Sequence, residues 1–291
     1  MSTSTFAFRA MGTEVRLIGP AGHRAFERAA AMTRATFERE DRRCSRFRAD
    51  SELSMVNTRA GTWTEVSDGL ARIVAFALDA ARATQGRFDP TVLPALVAAG
   101  YDRDFDEVLA GARAALRPAP PCGRWAEIEV RPRSLRLPPN SALDLGGFAK
   151  GWTVDLAADA AIDTGLPWAL VNAGGDLRLR GAAPGGALEV AVEDPEDAQV
   201  ELARLRLTHG ALATSSVTRR AWGPGLHHLI DPATGRPSDG PVLQATVWAP
   251  TCAEAEVAAK DALLWGEAAL ERSAAIVVLR DGEVHSNVEA A

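Results

Sequence analysis

Residues 143–151, Leu143-Asp144-Leu145-Gly146-Gly147-Phe148-Ala149-Lys150-Gly151, read as the junction of a strand and a helix. The apolar run 142–145 predicts a strand, the paired glycines a turn, and 149–164 a helix. Asp144 ends the strand and Lys150 stands on the first helical turn, where N–H groups, helix dipole and ammonium all attract anions such as phosphate or pyrophosphate. The same spacing also fits a tight connection whose lysine is solvated.

Towards the N-terminus, residues 6–18 alternate apolar and polar positions around Met11-Gly12-Thr13 and predict a strand with a glycine kink. Residues 25–44 show helical spacing, Ser51-Glu52 predicts a turn, and 67–84 predict a helix with Ser67 as N-cap and Gly86 past its end. Pro90 makes Phe88-Asp89-Pro90-Thr91 a rigid turn expected to hold its side chains outward. The proline-rich stretch 118–140 reads as a connector containing a hairpin, with strands near 126–130 and 134–137. Towards the C-terminus, strands are predicted at 166–172, 177–181, 188–193, 202–206, 227–230, 243–248 and 274–279, with a helix over 253–265 stopped by Gly266. Strands and helices that do not alternate as regular βαβ units predict the α+β class.

At 291 residues, 47% apolar and 24% charged, the chain is long enough for a sizeable core and lacks the polar tracts of disorder. Its net charge of −6, with no arginine-rich stretch interleaved with aromatics, argues against a nucleic-acid partner. Cys44, Cys122 and Cys252 are odd in number, widely spaced and without a CxxC pair, which favours a reducing compartment. No secretory apolar core, early lipid-anchor cysteine or run of about 20 apolar residues is present, so a cytoplasmic location without membrane partners is expected.

The sequence has no phosphate loop ending in GK[ST], no GxGxxG, no GxSxG and no HExxH. It has five unusual clusters instead. Beside 143–151 stand Asn172-Ala173-Gly174-Gly175-Asp176, which a hairpin turn also explains, and Ala213-Thr214-Ser215-Ser216 followed by Arg219 and Arg220, which reads first as a hydroxyl-rich turn. In His227-His228-Leu229-Ile230-Asp231-Pro232, adjacent histidines on a strand face opposite ways, so at most one faces a site. Asp231 is placed either to orient His228 or bind a cation, or to close an Asx turn. In the 253–265 helix Glu256 and Lys260 are four apart and share a face, which an exposed helix-stabilising pair would equally explain. Lys150 and Lys260 are the only lysines among 32 basic residues. An ammonium is a compact point charge that a planar guanidinium does not replace in a tight space.

In sequence order, Met11-Gly12-Thr13, Ser45-Arg46-Phe47 with Ser51-Glu52-Leu53 and Asn57, Gly86 to Thr91, Asp144 to Gly151, Asn172 to Asp176, Ala213-Thr214-Ser215, His228 to Gly235 and the 253–266 helix all stand in register with one pattern. They resemble the ApbE-type FAD:protein FMN transferase family over nearly the whole chain. The resemblance implies a single domain, 1–291, with lobes 1–117 and 118–291. Its fold would be α+β, with mixed and antiparallel sheets, flanking helices and a nucleotide cleft between two halves. In that family a threonine hydroxyl of an acceptor flavoprotein attacks the FMN-side phosphorus of FAD, AMP leaves, and FMN stays attached as a phosphoester. The implied flavin-nucleotide contacts are Met11, Phe47, Arg87, Phe88, Asp89, Asp144, Lys150 and Ile230, with Phe47 where the family usually has tyrosine, so stacking survives and a phenol hydrogen bond does not. The implied catalytic residues are His228 and Asp231, and Lys260 joins them as a fixed cation at a position where this sequence departs from the family.

For Mg²⁺ the family pattern carries an aspartate, a threonine four residues on and a glycine-turn carbonyl. The matching positions are Glu256, Lys260 and Gly147. A protonated lysine has donors only, so Lys260 is expected to stand beside Glu256 in place of the cation and meet the phosphates directly. Two readings follow, an FMN transferase and a non-catalytic flavin-nucleotide binding protein on the same fold.

Overall fold

The computed structural model describes residues 2–111, 117–119 and 121–288. Its contacts divide the chain into two compact units, one of Met1–Glu40, Lys150–Ser216 and Pro241–Ala291, the other of Asp41–Ala149 and Val217–Gly240. Seven α-helices are described: α1 (Phe26–Cys44), α2 (Glu52–Thr58), α3 (Asp68–Ala83), α4 (Leu93–Ala98), α5 (Phe105–Ala110), α6 (Ala149–Asp163) and α7 (Cys252–Trp265).

The first unit is built on a sheet of eight strands: β1 (Thr3–Ala10), β2 (Thr13–Pro20), β3 (Trp168–Ala173), β4 (Asp176–Gly181), β5 (Gly210–Ser216), β6 (Val242–Ala249), β7 (Ala275–Leu279) and β8 (Val284–Ser286). Spatial order follows chain order, and each neighbouring pair is antiparallel. Strand parity sends Val15, Leu17, Ala169, Val171, Ala173, Ala211 and Ala213 to one face, where they meet Phe26, Ala29 and Phe37 of α1, Val154, Ala157 and Ala161 of α6, and Ala255 of α7. Small alanines on the helices and sheet let the layers approach closely on this face. On the other face Trp168, Leu170, Leu177, Leu179 and Leu212 pack against Val192, Leu205 and Leu207 of a hairpin formed by Leu188–Glu193 and Glu201–Leu207.

The predicted kinked strand at 6–18 is a hairpin. Ala10 pairs with Thr13, and Met11 (φ 49°) and Gly12 (φ 70°) form the two-residue loop, both with the left-handed backbone of a type I′ turn. Gly174 (φ 65°) and Gly175 (φ 99°) repeat this turn between Ala173 and Asp176 on β3–β4, as the hairpin reading of that cluster expected. A side chain on Gly174 would collide with Thr13 Oγ1, so these two turns approach each other only because that residue is glycine.

The second unit has its own aromatic core. Phe148 packs against Phe76 (5.0 Å between centroids) and Phe88 (5.8 Å), and Tyr101, Trp222 and Ile230 gather around Ala95, Leu96 and Ala99. Ser51 caps α2, a helix where a turn was expected, and Ser67 caps α3 as predicted. The strand predicted over 142–145 does not form. There the Asn57 amide donates to Leu143 O (2.9 Å) and accepts from Leu143 N–H (2.8 Å), and Asp144 N–H donates to Pro90 O (2.8 Å), so the apolar run satisfies its backbone without a ladder. The strand predicted over 227–230 is interrupted because the His227 ring accepts the Leu229 N–H (3.3 Å). In the predicted connector 118–140, short strands Glu129–Arg131 and Ser134–Arg136 pair beside Thr64–Glu65, and Pro120 lies outside the described residues. Among the described residues no helix is long and apolar enough to cross a membrane.

Candidate functional site

In the sheet unit, the starts of α6 and α7 are brought unusually close. A Cβ on Gly151 would lie 2.5 Å from Cys252 O, so only glycine lets the two helix starts meet here. The N-terminus of α7 is fixed by Thr251 and Glu254 in a reciprocal capping box, and by Asp155 of α6, which accepts the N–H groups of Cys252 (2.8 Å) and Ala253 (3.0 Å) and pairs with Arg178 (2.8 Å). Across this junction Glu256, buried on α7, accepts the Gly151 N–H at 2.9 Å through Oε2.

Both lysines of the chain converge on the other oxygen of that carboxylate. Lys150 Nζ lies 3.0 Å and Lys260 Nζ 3.3 Å from Glu256 Oε1. Lys150 also pairs with Asp176 at the start of β4, whose Oδ1 accepts the Thr214 N–H (3.3 Å). The Thr214 hydroxyl, on β5, meets that of Thr246 on β6 at 2.9 Å. The hydroxyl-rich cluster is therefore an inner strand rather than a turn. The Glu256–Lys260 pair is enclosed rather than surface-exposed, with side chains 3% and 15% accessible. Burial works to raise the Glu256 carboxyl, but the two ammonium groups and the Gly151 N–H outweigh it and hold it down at about 2.

This donor set does not fit a magnesium ion. Mg²⁺ requires oxygen donors in an octahedron at about 2.1 Å. Here both Glu256 oxygens already accept from fixed N–H donors, and position 260 supplies an ammonium with no lone pair. A divalent cation there would also have to displace ammonium groups already paired with Glu256 and Asp176. Among the described residues, no group of three His, Cys, Asp or Glu side chains is placed to hold a metal ion.

In the second unit, Asp144 is 8% exposed, pairs with Arg46 Nε at 2.7 Å and accepts the Gly146 N–H at 2.7 Å, which shapes the Gly146-Gly147 turn before α6. The Arg46 guanidinium is held between the rings of Phe47 (4.1 Å) and Tyr101 (4.4 Å) and donates to Tyr101 O (2.9 Å). Phe47 itself is 41% exposed, a ring with a stiff cationic backing and an accessible face. The sequence singled out Asp144 by its place before the glycine turn and Phe47 through the family resemblance, but not their link through Arg46, because nothing in a linear pattern pairs positions 46, 101 and 144.

Phe88 and Asp89 are buried, contrary to the outward turn expected for them. Asp89 Oδ1 accepts both the Thr91 N–H (2.7 Å) and hydroxyl (2.6 Å), and Oδ2 accepts the Gly123 N–H (2.6 Å). Pro90 does fix the turn, but the carboxylate organises the backbone around itself. Arg87 flanks it, half-buried, and Ile230 lies in the apolar cluster with Tyr101 and Trp222. Burial, and after it the charges of Asp89 and Asp231, push the nearby Cys122 thiol up to about 11. That thiol is a poor nucleophile.

The two histidines are not equivalent. His227 is buried, its Nε2 meets Ser238 O at 2.9 Å and its Nδ1 accepts the Leu229 N–H, which uses both ring nitrogens within the fold. His228 is half-buried and anchored by its backbone N–H, which donates to Arg220 O (3.2 Å). Asp231 closes the following turn, accepting the Ala233 N–H through Oδ1 (2.9 Å). Met11, in the strained left-handed turn of the sheet unit, packs against that unit's core.

Comparison with known proteins bears on the fold and the family. A relative in Vibrio cholerae, called FAD:protein FMN transferase, is 31% identical over 232 residues, covering 77% of this chain and 69% of its own length. One of the same name in Rhodobacter capsulatus is 30% identical over 239 residues, 80% of this chain but 46% of that protein. Among solved structures, the ApbE protein of Thermotoga maritima superposes with a TM-score of 0.87 at 23% identity, covering 98% of this chain and 97% of that one. The flavin transferase ApbE from Vibrio cholerae gives 0.82 at 24% identity, with the same coverage. These two likenesses establish the α+β fold of antiparallel sheet and flanking helices. The ApbE family model matches residues 11–278, from the Met11 turn through both lysines to the last inner strand, and the chain belongs to the ApbE family.

Proposed function

We propose that this protein transfers FMN from FAD to a threonine hydroxyl of an acceptor protein, releasing AMP. The observation that carries the reading is the family match over residues 11–278, which spans the ammonium cluster of Lys150 and Lys260 and the Arg46-backed ring of Phe47. The relatives' shared name, FAD:protein FMN transferase, supports it. The whole chain, 1–291, acts as one functional domain in this proposal.

The reaction forms one bond and breaks one. The threonine oxygen bonds to the FMN-side phosphorus, the bond from that phosphorus to the bridging oxygen breaks, AMP leaves with that oxygen, and the hydroxyl proton passes to a base. In our reading Phe47 stacks on an aromatic ring of FAD, stiffened from behind by Arg46 and Tyr101. Met11, Arg87, Phe88, Asp89, Asp144 and Ile230 contact or shape the binding surface for the nucleotide within their own units, with Phe88 and Asp89 acting through the backbone they hold in place. The proton acceptor is assigned to His228, the histidine that the family resemblance marks, and Asp231 fixes the turn that follows it. Lys150 and Lys260 stabilise charge on the transferring phosphoryl group. Mg²⁺ at Glu256 and Gly147 is not part of this reading, because the donors present do not suit it.

A cytoplasmic location is also proposed, supported by cysteines that form no disulfide among themselves, and it implies a cytoplasmic acceptor. The test is to incubate the protein with FAD and an acceptor bearing a target threonine, with and without Mg²⁺, and resolve the products by denaturing gel. A fluorescent acceptor band is expected. No band under either condition, with FAD bound, would leave only the flavin-nucleotide binding reading.

A further inference from the structure

We propose that Lys150 and Lys260, fixed by Glu256 and Asp176, form a built-in diammonium clamp for the diphosphate of FAD, so that nucleotide binding needs no divalent cation. This rests on the flavin-nucleotide reading above. Two ammonium groups share a single carboxylate oxygen, at 3.0 and 3.3 Å, in surroundings that exclude most solvent. The Glu256 and Asp176 carboxylates balance the two ammonium charges, so it is the donors left over on the ammonium groups that a ligand would meet.

For Lys150 a further acceptor is Asp176. For Lys260 the Glu256 oxygen takes one of its three N–H donors, and among the described residues no other protein acceptor reaches it, although its side chain is 15% accessible. Its remaining donors point to an anion supplied from outside. Glu256, saturated by Gly151, Lys150 and Lys260, serves as a positioning counter-ion that sets where both ammonium groups stand. A diphosphate, with its closely spaced charged oxygens, is the anion class that two such donors would bridge.

The clamp behaves differently from a metal in two respects. It cannot be removed by a chelator, and its attraction is screened by salt. FAD and inorganic pyrophosphate binding would be measured on the full chain by calorimetry, in excess EDTA and in millimolar Mg²⁺. The wild type is expected to bind each ligand equally in both buffers, within about twofold, and more weakly as salt rises. Lys260→Gln should lose about tenfold or more in both buffers, a change of about 1.4 kcal/mol. Lys260→Thr should lose as much in EDTA and recover part of it in Mg²⁺. Lys260→Arg, which keeps the charge, should stay insensitive to EDTA, and it guards against a Gln variant that fails to fold.

A wild type that loses tenfold in EDTA and recovers with Mg²⁺ would overturn the clamp, as would a Lys260→Gln variant that folds and binds both ligands as tightly as the wild type. So would failure of both FAD and pyrophosphate to bind. The transferase reading is separated by the acceptor assay. Transfer that demands Mg²⁺ would keep that reading and sink the clamp, whereas EDTA-indifferent binding without any transfer would keep the clamp and sink the transferase.

Discussion

Glu256 illustrates how one side chain couples charge to the fold. Its folded carboxyl sits at about 2 against an ordinary 4.5, because the Lys150 and Lys260 charges and the Gly151 N–H favour the ionised form despite burial. A depressed acid stabilises the native state above its unfolded value and loses that contribution as pH falls, here between about 4.5 and 2. The loss should be on the order of 3 kcal/mol. Urea unfolding at a series of pH values should show this decline, and a Glu256→Gln variant should show a shallower one. Arg46 makes a second prediction at this scale. Replacing it with Met leaves Asp144 buried without its cation, and should cost about 3 kcal/mol in denaturant unfolding. A cost below about 1 kcal/mol would mean the pair is solvated in solution.

At the scale of elements, the meeting of α6 and α7 depends on one missing methyl group. Gly151→Ala would place a Cβ 2.5 Å from Cys252 O and 2.9 Å from Ala253 N, both backbone atoms that cannot rotate away. The variant should lose about 1–3 kcal/mol in thermal unfolding, and the Lys150–Glu256 geometry should shift with it. Both helices were readable from the sequence, α6 from its glycine turn and α7 from alanine spacing and the stop at Gly266 (φ 78°). The cap of α7 was also readable, since Thr251 and Glu254 stand three apart in the T-x-x-E signature. The β1–β2 hairpin had its own signal, because the apolar positions change from even (Phe6, Phe8) to odd (Val15, Leu17) across Met11-Gly12. The run 142–145 was misleading for a physical reason: a side-chain amide 86 residues away, that of Asn57, supplies the hydrogen bonds a strand would need.

For the whole molecule, the α+β class followed from the irregular order of strands and helices, and the family from segments spread over the chain. Sheet order and the lysine cluster did not follow from local pattern. Residues 150, 176 and 256 meet because β4 and two helices bring together positions as much as 106 apart, and pairings of that range leave no periodic trace. The longer links of Asp89 to the Gly123 N–H and of Arg46 to Tyr101 O escaped for the same reason, since they join positions 34 and 55 apart. In the proposed reaction this fold moves FMN from FAD to a threonine. The most direct measurement is the intact mass of an acceptor protein after incubation with this chain and FAD, alongside quantitation of AMP. The expected result is an acceptor heavier by one phosphoester-linked FMN, an equal amount of AMP, and the same yield with EDTA as with Mg²⁺. An acceptor of unchanged mass in both buffers, with FAD bound and intact, would contradict it.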